Sequence, residues 1–155
     1  VGFKGLIMKK SAPSGARDDS WPVGRDVKRV GFCSGKGYYE LDAERGAMGA
    51  EADVKIVRIE QLSPFPWDLV ERKLRRYPGA EPVWCQEEPM NMGAYSHVAP
   101  RFATLFKREN IAWPLDALRY AGRAPAASTA TGYGTVHAEE QVGLVKEALN
   151  DPPVM

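Results

Sequence analysis

The chain has 155 residues, 21 Lys plus Arg against 20 Asp plus Glu, and a formal net charge of +1. That length suits one domain, able to bury roughly 70% of its unfolded surface without staples. A hydrophobic share of 44% and a charged share of 26% exclude a largely disordered chain, and the near-neutral charge gives no footprint for nucleic acid or an anionic membrane. No apolar run is long enough to span a bilayer. The expectation is a soluble single domain with no evident partner, short for an enzyme that closes a site from one chain.

In chain order, Val1 to Lys10 mixes Phe3, Leu6, Ile7 and Met8 with Lys4, Lys9 and Lys10, and it lacks an initiator Met. The apolar run is too short for a signal-peptide core, so the chain is expected to begin downstream of a true start. Residues 11–27 are rich in Ser, Pro, Gly and Asp, with Trp21 as the residue able to anchor them. The organisation read here is an irregular arm or linker over 1–26, a domain over 27–150 and a tail over 151–155.

From Lys28 a regular alternation begins. Val30 to Cys33 reads as a buried strand, followed by the turn Ser34-Gly35-Lys36-Gly37 and a helix from Tyr38 to Ala47. Val54 to Ile59 is β-branched and nearly continuous, as in a strand covered on both faces. Pro66 suits a helix's first turn, and Val70, Leu74 and Tyr77 recur at helical spacing. Pro82 to Gln86 is a third strand; Val98, Phe102, Leu105 and Phe106 mark a helix face; Leu118 to Ala121 is a weak fourth strand. A small-residue loop over 122–134 leads to a last helix marked by Val142, Val145 and Leu149. This alternation predicts βα units, a mostly parallel sheet and a three-layer α/β/α domain.

Little in the sequence forms a catalytic constellation. The Gly31 to Gly35 spacing is too short for a phosphate loop, and Gly37 stands where Ser or Thr is needed, so Ser34-Gly35-Lys36 reads as a tight turn with at most a weak anion site. Glu87 and Glu88 follow the third strand, where open α/β sheets bind ligands. Adjacent carboxylates on an extended chain point apart, so they are expected to cap a helix or meet an Arg across an interface. His97 and His137 are the only histidines, with no CxxC and no acidic cluster at ligand spacing, which leaves no metal site. Cys33 and Cys85 allow one disulfide, but the commoner reading is two buried thiols in a reducing compartment. Arg119 and Arg123 flank Gly122, and paired guanidinium forks suit carboxylates or phosphates.

Four strings now stand together. They are Phe32-Cys33-Ser34-Gly35-Lys36 with Tyr38-Tyr39; Ile56 to Pro66 (IVRIEQLSPFP); Trp84 to Pro89 (WCQEEP) with Asn91 and Gly93-Ala94-Tyr95; and Arg119 to Arg123 (RYAGR) with Pro125-Ala126-Ala127, Ala130-Thr131-Gly132 and His137. In this order the chain resembles, from about Val27 to Leu149, the C-terminal domain of the thiamine-dependent decarboxylating component of the 2-oxoglutarate dehydrogenase complex.

The resemblance implies a transketolase C-terminal-like fold with one strand antiparallel. It implies a multi-domain dimeric parent whose thiamine diphosphate and magnesium are held by preceding domains. No catalytic, cofactor-binding or metal-binding residue is therefore assigned within this chain. The implied role is to complete the subunit, support the dimer and frame the active-site entrance. Its partners would be the parent's remaining domains or other protein subunits, with no nucleic acid and no membrane insertion, in the mitochondrial matrix of a eukaryote or the cytoplasm of a bacterium. Glu87, Glu88, Asn91, Tyr95, Arg119, Arg123 and His137 are the interface candidates, on surfaces around Glu87–Tyr95 and Arg119–Thr135. Two other readings are kept: a stand-alone structural subunit of a larger mitochondrial assembly, and a sensor binding an acidic or nucleotide effector near Arg119 and Arg123.

Overall fold

A computed structural model describes the backbone of residues 6–8, and residues 24, 26–108, 114 and 116–150. The expected anchoring by Trp21 and the tail over 151–155 fall outside the described residues. Five strands form one sheet: β1 (Leu6–Met8), β2 (Arg29–Cys33), β3 (Val54–Ile59), β4 (Glu81–Cys85) and β5 (Arg119–Ala121). Their order is β1-β3-β2-β4-β5. β2, β3, β4 and β5 pair in parallel, while β1 lies antiparallel on the β3 edge. β1 falls inside the segment read from sequence as an irregular arm. Three residues are too few for a period-2 pattern to stand out.

Four helices, α1 (Gly37–Ala47), α2 (Trp67–Arg76), α3 (Tyr95–Phe106) and α4 (Gly134–Leu149), cover the sheet. Side chains alternate across each strand, so the sheet feeds two cores. On one face Phe32, Val57, Ile59 and Trp84 pack against Val70 and Leu74 of α2 and Val98, Phe102 and Leu105 of α3. Phe32 meets Phe102 edge to face at 4.9 Å between centroids. On the other face Cys33, Val54, Ile56, Val83, Cys85 and Ala121 pack against Tyr38 and Leu41 of α1 and Leu144, Val145, Ala148 and Leu149 of α4. This is the three-layer α/β/α arrangement expected from the alternation.

Two details refine the sequence reading. Val142, taken as part of the inward face of α4, is 55% exposed, and the buried stripe runs instead through Leu144, Val145, Ala148 and Leu149. This helix has weak apolar periodicity, so its inward face is set by what it meets. Pro82 sits in a central strand without harm, because pairing to β5 begins only at Val83.

The sheet order sets the site. From β2 the chain crosses to β3 on one side, and from β4 it crosses to β5 on the other. A crevice therefore opens at the carboxyl ends of β2 and β4, where the connections diverge.

Candidate functional site

The crevice is a real cavity of about 230 Å³, lined by the Ser34–Gly37 turn, Cys33, Cys85, Glu87, Leu41 and Leu144 among others. Gly35 takes φ +67° to turn the chain into α1, a conformation that favours glycine. The N-terminus of α1 faces carboxylates of the chain itself. The Gly35 amide donates to Glu60 Oε2 at 3.4 Å, and Lys36 Nζ pairs with Glu87 Oε2 at 3.1 Å. Glu87 Oε1 is enclosed without a hydrogen-bond partner among the described residues. It would stand 3.6 Å from a Cβ placed on Gly37. The weak anion site conceived for this turn is thus already flanked by Glu60 and Glu87. Glu60 also pairs with Arg58, whose guanidinium lies 4.8 Å from the Tyr38 ring centroid and 5.3 Å from that of Tyr39.

The cavity floor is neutral. Burial pushes the Cys33 thiol far above its ordinary range, with Cys85 beside it adding to the rise. Burial also pushes the Cys85 thiol up, to about 12, with Glu147 and Glu87 contributing. Both thiols are free and remain protonated at neutral pH.

Beside the cavity, two loops are laced into one platform at the carboxyl ends of β4 and β5. Gln86, only 7% exposed, organises the first. Its Oε1 accepts from the Trp84 indole at 3.0 Å and the Tyr95 amide at 2.9 Å. Its Nε2 faces the carbonyls of Glu88, Pro89 and Met92 at 3.2, 3.0 and 2.8 Å. Arg123 organises the second. It donates to the Glu87 carbonyl at 2.8 Å, the Thr131 hydroxyl at 2.9 Å and the Thr129 carbonyl at 2.8 Å. Asn91 pairs reciprocally with the backbone of Ala126, at 3.0 and 3.1 Å. The Tyr120 hydroxyl lies 3.0 Å from the carbonyls of both Glu88 and Arg123, and burial raises its pKa to about 12. Its ring packs on Tyr95 at 4.7 Å.

Of the seven interface candidates, the structure brings Glu87, Glu88, Asn91, Tyr95 and Arg123 together in this platform. Arg123 points inward and binds the chain itself rather than standing free. Arg119 is elsewhere, at the opposite end of β5. It pairs with Glu81 at 2.9 Å and donates to the Glu147 carbonyl near the end of α4 at 3.0 Å. The strand length between them keeps Arg119 and Arg123 from forming one effector site. His137 is exposed on the first turn of α4. Gln86 and Tyr120 were not among the candidates. The nearest sequence signal was an amide two residues after a tryptophan at a strand's end.

Outward the platform presents small and apolar residues beside the exposed Glu88 and Asn91. Pro125, Ala127, Ala130 and Tyr133 are exposed, Tyr133 to 76%. The donor set does not fit a magnesium diphosphate. Among the described residues no group of three or more His, Cys, Asp or Glu converges as a metal site. The carboxylates of Glu60 and Glu87 at the α1 N-terminus would repel a diphosphate there.

A mixed sheet between two helix pairs, with laced loops at its carboxyl edge, defines a transketolase-like α/β domain. The fold is similar to that of a solved split-gene transketolase described as an inactive β4 tetramer, with TM-score 0.51 and 19% identity over 83% of this chain and 43% of that one. Residues 10–149 match the model of the 2-oxoglutarate dehydrogenase C-terminal family, and the chain belongs to that family. It is 48% identical over 150 residues to the mitochondrial 2-oxoglutarate dehydrogenase of Caenorhabditis elegans, covering 97% of this chain and 13% of that protein. It is 49% identical over 124 residues to the mitochondrial 2-oxoglutarate dehydrogenase-like protein of Pongo abelii, covering 80% of this chain and 12% of that protein. The chain thus spans about an eighth of the length of these relatives.

Proposed function

We propose that this chain is the C-terminal assembly domain of a 2-oxoglutarate dehydrogenase decarboxylating component and carries no catalytic group of its own. The observation that carries this reading is the family match over residues 10–149 by a chain that corresponds to only 13% of a full-length relative. Decarboxylating a 2-oxo acid requires an electron sink that no side chain provides, so the chemistry belongs to a cofactor. In the proposed parent that cofactor is thiamine diphosphate with magnesium, bound by other domains. The platform of Gln86, Asn91, Tyr120 and Arg123 supports the assembly role. Its internal hydrogen bonds fix both loops before any partner arrives, which lowers the ordering cost of binding. The partners in this reading are the remaining domains of a dimeric parent. The mitochondrial names of the relatives support a matrix location. In the test, the purified chain is incubated with 2-oxoglutarate, thiamine diphosphate and Mg²⁺ and carbon dioxide release is followed. None is expected, and turnover above a protein-free control would overturn the reading.

A further inference from the structure

Glu87 lines the cavity with its two carboxylate oxygens in different surroundings. Oε2 pairs with Lys36 Nζ at 3.1 Å, and the Lys36 side chain is 71% exposed, so that pair faces solvent and is weak. Oε1 is enclosed and meets no donor among the described residues. An enclosed acceptor left unpaired costs free energy that a matching donor returns. Arg123 holds the Glu87 carbonyl at 2.8 Å, which fixes the backbone that carries the carboxylate. Gly37 lines the same cavity, and a Cβ there would stand 3.6 Å from Oε1, so glycine keeps the space beside that oxygen clear.

The charge around the cavity selects the sign of what enters. Lys36 stands among Glu87, Glu88 and Glu60, the last of these at the Gly35 amide, and this field favours a cation and repels an anion. Leu41 and Leu144 supply apolar wall. A volume of about 230 Å³ falls below the roughly 300–1,000 Å³ of pockets that take whole small ligands, and suits one long side chain. Lysine and arginine bury an apolar stem and keep a charged head at a polar contact. A guanidinium is more weakly hydrated than an ammonium and so is the less costly of the two to enclose.

We propose that this cavity is a socket for an arginine side chain of a protein partner, whose guanidinium donates to Glu87 Oε1 while its stem lies along Leu41 and Leu144. The protein source rests on the assembly reading above, in which a chain covering 13% of a relative has most of such a protein beside it. The carbon dioxide assay tests that reading, and the experiment below tests the socket independently of it.

The experiment follows the backbone amides of the 155-residue chain by NMR while n-propylguanidinium chloride is added at constant ionic strength. Saturable shifts at Gly37 and Gln141 are expected. Neutral n-propylurea, of the same shape, is expected to bind at least about tenfold more weakly, as loss of a hydrogen bond between charged groups requires. Equal binding of the two would overturn the socket without any variant. Glu87→Gln keeps the side-chain shape and removes the charge, and Gly37→Ala sets a methyl beside Oε1 at ordinary contact distance. Each variant is expected to weaken n-propylguanidinium at least about tenfold, and wild-type binding by either would overturn the site. Nα-acetyl-arginine N-methylamide, which presents the side chain as a protein does, is expected to match n-propylguanidinium. Free L-arginine binding at least about tenfold more tightly than this blocked form would assign the site to a free amino acid and overturn the protein source.

Discussion

At the scale of single residues, Gln86 and Gly122 decide whether the platform exists. Gln86 is buried with both ends of its amide engaged, and leucine in its place would orphan the Trp84 indole and the Tyr95 amide. Gln86→Leu is expected to lower stability by about 3 kcal/mol in urea unfolding, since each orphaned buried polar group costs about 1–3 kcal/mol. A loss under about 0.5 kcal/mol, the range of a bland surface change, would show that the amide is dispensable. A Cβ on Gly122 would strike the Tyr120 hydroxyl and come within 2.8 Å of the Gln86 carbonyl. Backbone cannot step aside as a side-chain tip can. Gly122→Ala is therefore expected to cost about 1–3 kcal/mol, as overpacking does, and to loosen amide exchange protection at Gln86 and Met90. Unchanged protection would count against a laced pair of loops. Neither role was legible in the sequence. Glutamine after a strand and glycine before a loop are ordinary there; the partners of the Gln86 amide lie two to nine positions away at no regular period, and the Gln86 carbonyl that Gly122 approaches is 36 positions distant.

At the scale of elements, Tyr120 joins strand β5 to the loop after β4. Its folded pKa of about 12 lies above the ordinary value of 10.0. A group with a raised folded pKa holds its proton more tightly when folded, so its stabilisation is complete below the unfolded pKa and is lost as pH rises. The expected result is a melting temperature that falls from about pH 10 toward 12, with a Tyr120→Phe variant showing a shallower fall. Parallel curves for the two proteins would remove Tyr120 from the account. The strands and helices themselves were readable: β-branched runs gave β3, and the spacing of Val70 and Leu74 gave α2. The inward face of α4 was not readable, because alanine, glycine and valine surround its stripe and only contact with α1 and the sheet selects it.

At the scale of the whole molecule, two cores on one sheet leave prearranged loops at the carboxyl edge of β4 and β5, and the proposed assembly role puts a partner against them. Tyr133 is the large exposed side chain there and stands at the N-cap of α4. Serine is a favoured N-cap, so Tyr133→Ser removes the ring while preserving the helix start. In the full-length enzyme that the proposed function supposes, this variant is expected to weaken subunit association at least several-fold in sedimentation equilibrium, with the melting of the isolated chain unchanged. Equal association would move the interface off this surface.

The sequence alone determined the βα alternation, the parallel sheet and the family resemblance, because local periodicity and motif order are properties of neighbouring residues. It also marked the segments around Glu87–Tyr95 and Arg119–Thr135. Only the tertiary structure decided how those segments are arranged. It turned Arg123 inward, sent Arg119 to the far end of β5 and made Gln86 the centre of a loop. It also placed Cys33 beside Cys85. The physical reason is register: which residues meet across strands is fixed by packing between positions far apart in the chain, and no local pattern records it.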